Sequence, residues 1–216
     1  PSLPRLLGLS EKPRSENNKL IPLSAFGLEA MSIGFLVDED APTIWRGPMV
    51  MSAVQQMLRD VAWGDLDILV IDMPPGTGDA QLTLSQRADL AGAVIVSTPQ
   101  DLALIDARKG LNMFRRVNVP VLGIVENMSY FVCPSCGEIS DIFGTGGAKA
   151  EAERLGLPFL GGIPLDMEIR ATSDAGTPIV AENFSSPHAQ AYVKIAETLT
   201  AQLEKETRTG PAIIMD

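Results

Sequence analysis

The sequence predicts an α/β fold: a parallel β-sheet flanked by helices on both faces. Three observations carry that prediction. Short continuous apolar runs, LDILVID (66–72), AGAVIVST (91–98), VPVLGIVEN (119–127) and PFLGGIP (158–164), have the composition of strands covered on both sides. The segments around them repeat apolar residues at helical spacing. No internal repeat or linker-like stretch interrupts the pattern, so residues 1–206 read as one domain and 207–216 as a flexible tail.

Taken in order, KLIPLSAFG (19–27) and SIGFLV (32–37) read as short strands with a turn around Glu29. In WRGPMVMSAVQQMLRDVAW, Pro48 suits a first helical turn, and Met51, Val54, Leu58 and Val61 fall on one face. Trp45 and Trp63 bracket that helix as packing anchors. AQLTLSQRA (80–88) is a helix. DLALIDARKGLNMFRRV opens on Asp101 as a cap, with Leu104, Ala107, Leu111 and Phe114 facing inward. GGAKAEAERLG (146–156) is a helix stopped by Gly156. SPHAQAYVKIAETLTAQLEK is the last helix, with Ala189, Tyr192, Val193, Ala196, Leu199 and Leu203 on its inner side and His188 capping or bordering its start.

Composition narrows the function. With 17 Lys+Arg against 27 Asp+Glu the net charge is -10, which argues against a broad phosphate-binding surface and against nucleic acid as a partner. No apolar run reaches the length of a membrane span, so a soluble intracellular protein with no membrane partner is expected.

In folds of this class ligands gather at the carboxyl ends of the strands. Three such ends carry unusual residues: MPPGTGD, ENMSYFVCPSC and IPLD. An apolar strand that delivers Asp72 to its mouth has the layout of a Walker B carboxylate, which helps hold Mg2+ beside ATP, often through water. Pro74 and Pro75 fix the exit direction, while Gly76 and Gly78 let backbone N–H groups approach an anion, as a γ-phosphate sensor requires. An Asp that closes a strand also serves as a helix cap, and Asp79 is assigned that role. For Asp72 the whole string D-x-P-P-G-T-G-D turns the reading to function. A phosphate loop, G-x-x-x-x-G-K-[ST], is absent. GTGGAKA (144–150) comes nearest, but Ala150 follows Lys149 and offers no hydroxyl to a metal, so it reads as the start of a helix.

Cys133 and Cys136 are the only cysteines. Two thiolates at i and i+3 in a tight turn point the same way, and Gly137 tolerates the positive φ that turns backbone N–H groups toward sulfur. Thioredoxin-type pairs sit at the start of a helix. Here GEISDIFG follows, a poor helix, so metal binding is favoured over dithiol exchange, and the exposed character of the loop disfavours two inert thiols. With no further cysteine, and with His188 far along the chain, one copy cannot close a tetrahedral thiolate site. A second copy across a two-fold axis supplies the same pair. Iron and zinc both suit those ligands.

WGDLDILVIDMPPGTGD resembles the signature of the Mrp/ApbC group of ATP-binding iron–sulfur carriers, relatives of the MinD and ParA ATPases that include a mitochondrial complex I assembly factor. PSLPRLLG, TIWRGPM, the CPSCG turn, IFGTGGA, LGGIPLD and IRATSDAGTPIV extend the resemblance over nearly the whole chain, leaving only the last few dozen residues. It implies a P-loop NTPase fold of the MinD/ParA type. In that family the segment resembling PSLPRLLG follows a phosphate-loop βαβ unit, so this chain is expected to lack that unit, to be less stable than the intact domain and to be inactive alone as an ATP hydrolase. The resemblance also implies that Asn127 reads the adenine ring, since an amide pairs with both a donor and an acceptor, and that Pro164 and Asp166 lie against the same base. Each has a structural alternative, an ordinary turn in the case of Asn127. It further implies a [4Fe–4S] cluster held between two protomers, Cys133 and Cys136 from each, for transfer to apo iron–sulfur proteins in a bacterial cytoplasm or mitochondrial matrix. A zinc-bridged dimeric scaffold or regulator is the alternative. A partitioning ATPase akin to ParA or MinD lacks support, for want of a basic face or a terminal basic amphipathic helix.

Overall fold

The computed structural model describes residues 2–37, 47–74, 76, 78–144 and 146–208. The chain divides into two units, Pro1–Ala88 with Glu168–Glu182, and Asp89–Met167 with Asn183–Asp216. The first contributes α1 (Leu3–Leu6), β1 (Ser15–Glu16), β2 (Lys19–Leu20), β3 (Leu23–Ala25), β4 (Leu28–Ala30), a 3-10 helix (Ile33–Phe35), α2 (Gly47–Arg59) and α3 (Asp79–Arg87). The second contributes β5 (Ala93–Ser97), α4 (Asp101–Arg116), β6 (Val121–Glu126), β7 (Phe131–Val132), β8 (Ile139–Ser140), α5 (Gly147–Leu155) and β9 (Phe159–Gly162). Helices α6 (Met167–Ala175) and α7 (Ile179–Glu182) return the chain to the first unit, and α8 (Pro187–Arg208) ends in the second.

The first unit is built from tight turns. β1 pairs with β2 across Asn17–Asn18, and β3 with β4 across Phe26–Gly27, all four turn residues having positive φ. Such two-residue turns match the twist of a hairpin, and Asn and Gly take that conformation most readily. The turn expected around Glu29 therefore falls earlier. The strand expected at 32–37 is instead the 3-10 helix, whose first turn is capped by Ser32 Oγ accepting from the Gly34 N–H at 3.1 Å. Leu20 bridges to Val61 just beyond α2, and Trp63 Nε1 donates to the Met57 carbonyl at 3.1 Å, fastening the end of that helix. Trp45 lies outside the described residues.

The largest departure from expectation is LDILVID. Among the described residues, 66–72 carry no strand pairing, and Val70 is 86% exposed. A strand takes its backbone hydrogen bonds from a neighbour, and an apolar run does not reveal whether that neighbour is present.

The second unit holds the parallel sheet, in the order β5-β6-β9. Glu126 pairs with Gly162 and Val125 with Gly161, so successive pairs face opposite sides. On one side Glu126 reaches the start of α5; on the other, a Cβ on Gly161 would lie 3.1 Å from Ile195 of α8. Helices thus cover both faces of the central strand. Leu104, Leu111 and Phe114 of α4 are buried as their spacing predicts. In α8, Ala189 is fully buried, Ala196 is exposed, and Ile195 takes the inward place expected of Ala196. The cap of α4 is Gln100 rather than Asp101, which occupies the first turn. α8 continues to Arg208, and residues 209–216 lie outside the described residues. No described helix is long and apolar enough to cross a membrane.

Glu151 of α5 ties this layer together. Its side chain is 5% exposed and accepts from Arg108 of α4 (2.6 and 3.0 Å) and from Arg154 (2.5 and 3.0 Å). Hydrogen bonds from Arg154 and then Arg108 hold its carboxyl at about 2, below the ordinary 4.5. A depressed carboxyl stabilises the fold above its unfolded value, and that contribution is lost as pH falls from about 4.5 toward 2. Both arginines reach solvent, which screens the interaction. Urea titrations are expected to show Glu151→Gln destabilised by roughly 1–3 kcal/mol at neutral pH. The difference from the unsubstituted chain should shrink across that acid window.

Candidate functional site

The cysteines occupy the tip of the β7–β8 hairpin. Phe131 pairs with Ser140 and Val132 with Ile139; beyond them the Cys133 N–H donates to Glu138 O at 2.9 Å and the Gly137 N–H to Cys133 O at 2.8 Å. Gly137 has φ 75, as the turn requires. Both thiols are reduced, Cys133 half-buried and Cys136 exposed. Backbone N–H groups of Ser135 and Cys136, with the Cys136 side chain, donate toward the Cys133 sulfur and hold its thiol below the ordinary range. These donors favour the thiolate, the form that binds metal. Among the described residues, no group of three metal-ligating side chains includes either cysteine.

The root of the hairpin is joined to the sheet by main-chain bonds. Ile163 N–H donates to Glu126 O, Ser129 N–H to Ile163 O, and Leu165 N–H to Tyr130 O, at 2.8, 2.8 and 2.7 Å. Asn127 follows β6 directly. Its N–H donates to Ser97 O at 2.7 Å, and its Oδ1 accepts from Met128 N–H at 3.0 Å, so part of the amide already serves a turn. Pro164 is buried, and Asp166 faces His188, the only histidine, at 3.6 Å near the start of α8. The helix cap there is Ser186, whose Oγ accepts from Ala189 N–H at 3.0 Å. The second unit therefore gathers Asn127, Cys133, Cys136, Pro164 and Asp166 beyond the ends of β6 and β9.

Asp72, Gly76 and Gly78 belong to the first unit. Asp72 is exposed at the end of the unpaired 66–72 segment rather than at the mouth of a paired strand. Gly76 has φ 97, and Gln81, buried on α3, donates from Nε2 to Pro74 O at 3.1 Å, folding the turn back onto the helix. Gly78 caps α3, so Asp79 occupies its first position.

Glu126 escaped the sequence reading. Its side chain is 1% exposed, with Oε1 accepting from Ser129 Oγ at 2.5 Å and Oε2 from Ala148 N–H at 2.7 Å. The signal was present: an apolar run closed by an acid, the same pattern that drew attention to Asp72. This contact also bears on GTGGAKA, because the donor at the start of α5 is taken by an internal carboxylate. A hollow of about 380 Å3 opens nearby, with Tyr130, Ile139, Lys149 and Phe159 among its walls.

Sequence and structure comparisons meet this geometry. Residues 1–200 match the ParA family described as NUBPL iron-transfer P-loop NTPase. The chain belongs to that family. It is 55% identical over 207 residues to the iron-sulfur cluster transfer protein NUBPL of Dictyostelium discoideum, covering 94% of this chain and 64% of the relative. It is 53% identical over 212 residues to an Arabidopsis thaliana iron-sulfur protein required for NADH dehydrogenase, mitochondrial, covering 98% and 67%. Thus the chain spans about two thirds of the length of these relatives. Among solved structures, a nucleotide-binding protein from Archaeoglobus fulgidus in complex with ADP aligns with a TM-score of 0.72 at 40% identity, over 86% of this chain and 72% of that one. The MinD/ParA-type P-loop NTPase fold and the iron–sulfur carrier family expected from the sequence are both borne out.

The hydrogen bonds at Cys133 have a measurable consequence. Mass-spectrometric alkylation against pH should place the half-maximal reactivity of Cys133 below the ordinary thiol value of about 8.5. Reactivity centred at or above that value would show that the turn does not favour the thiolate.

Proposed function

We propose that this chain is the cluster-holding part of an ATP-dependent iron–sulfur carrier. The observation that carries the reading is the hairpin tip: two free thiols, one held below its ordinary range by hydrogen bonds to its sulfur, on an exposed turn in a member of an iron-transfer family. Two chains would each give Cys133 and Cys136 to one [4Fe–4S] cargo cluster. A shared, solvent-reachable cluster is easier to release to an apo iron–sulfur protein than one sealed in a core. The Dictyostelium relative, by name a cluster transfer protein, supports the same direction.

In the intact protein the nucleotide would be ATP. Asp72 would hold Mg2+ through water and the Gly76–Gly78 backbone would sense the γ-phosphate. Asn127, Pro164 and Asp166 would frame the adenine. Three features support a further phosphate-loop unit in the intact protein. Among the described residues the 66–72 segment is unpaired and β5 edges the sheet with Val96 63% exposed, while the relatives are longer than this chain. Hydrolysis would depend on that unit, and the chain alone is expected to bind ATP poorly. Nucleotide and cargo would communicate through the short bonds joining 163–165 to 126–130.

Anaerobic reconstitution with iron and sulfide tests the reading. Broad charge-transfer absorption in the visible range is expected, and its loss in Cys133→Ala and in Cys136→Ala. Uptake of one colourless Zn2+ per two chains, with refusal of iron, would instead establish the zinc-bridged scaffold.

A further inference from the structure

A hairpin whose strands are two residues long cannot orient itself, since isolated two-stranded ribbons are marginal even at greater length. Its direction must be imposed at the root. Main-chain bonds to 163–165 secure one side, and Glu126 secures the other. The Glu126 carboxylate is bonded at once to Ser129, at the hairpin root, and to Ala148, the second residue of α5. A buried carboxylate loses its hydration and must find partners within the fold. Here two short hydrogen bonds and the positive end of α5 offset that loss. The space is also cut to fit: a Cβ on Gly162 would lie 2.7 Å from Ser129 Oγ and 2.9 Å from Ser129 Cβ, displacing the hydroxyl from Glu126.

We propose that Glu126 is a positioning residue for the cysteine pair, fixing the Cys133–Cys136 hairpin against β6 and α5 through Ser129. The inference rests on the carrier reading, because aim matters only where two chains must bring their sulfurs to one centre. Ser129 is the member to test, since its removal leaves the Ala148 bond and the core intact.

Amide hydrogen exchange on the metal-free chain gives the first readout. Ser129→Ala should speed exchange at the Cys133 and Gly137 amides about fivefold while β6 and α4 exchange as before. The melting midpoint should stay within about 4 °C. The second readout is removal of iron from the reconstituted chain by a chelator, which should quicken by a similar factor. Glu126→Gln should retain both wild-type behaviours, because its amide can accept from Ala148 and donate to Ser129; Glu126→Ala should lose both. Unchanged hairpin exchange in Ser129→Ala overturns the proposal, as does a rise spread equally over β6 and α4. A wild-type chain that takes no iron defeats the carrier reading instead, and the exchange measurement still decides the brace.

Discussion

Two sulfurs on one turn make half of a tetrahedral coordination sphere, and the proposed function depends on that shortfall. The chain has no third cysteine, and its one histidine faces Asp166. Among the described residues, no group of three metal-ligating side chains includes either cysteine. On the proposed function a metal held by the pair would be completed from outside, which would require that the turn project and that its approach be fixed. Both conditions appear in the hairpin: Cys136 is exposed, while the strands below it are fastened to the sheet at their base.

That fastening also sets where the two halves of a carrier could meet. The end of β6 leads within four residues into the hairpin root, and Leu165, between Pro164 and Asp166, bonds to Tyr130. Residues proposed to frame a purine and residues proposed to aim the sulfurs thus share one ladder of short bonds. A ligand that shifted Asn127 or the 163–166 segment would pull on the hairpin without any long relay. The physical warrant is adjacency through hydrogen bonds, and the element that would have to move is small.

Much of this was legible in the sequence because it rests on local chemistry. Gly137 after C-P-S-C announced a turn with positive φ, and Gly156 announced the end of a helix, since both requirements belong to single residues. Apolar runs placed β5, β6 and β9, whose neighbours are present. The same signal failed at LDILVID, where pairing depends on another segment and periodicity carries no word of it. The 3-10 helix at Ile33–Phe35 was hidden because four apolar residues in six suggest a strand, whereas a Ser32 hydroxyl decides otherwise. Glu126 was overlooked for a different reason. Its role comes from Ser129, Ala148 and Gly162 meeting in space, and an acid after a strand reads identically whether it faces a metal, a helix or water.

On the proposed function this chain owns half a site and borrows the rest from its twin. Native mass spectrometry of the anaerobically reconstituted chain weighs that directly. The account predicts a species of two chains carrying four irons and four sulfides, which falls to bare monomers when either cysteine is replaced. A cluster retained on one chain, or a loaded dimer that survives loss of both cysteines, would contradict it.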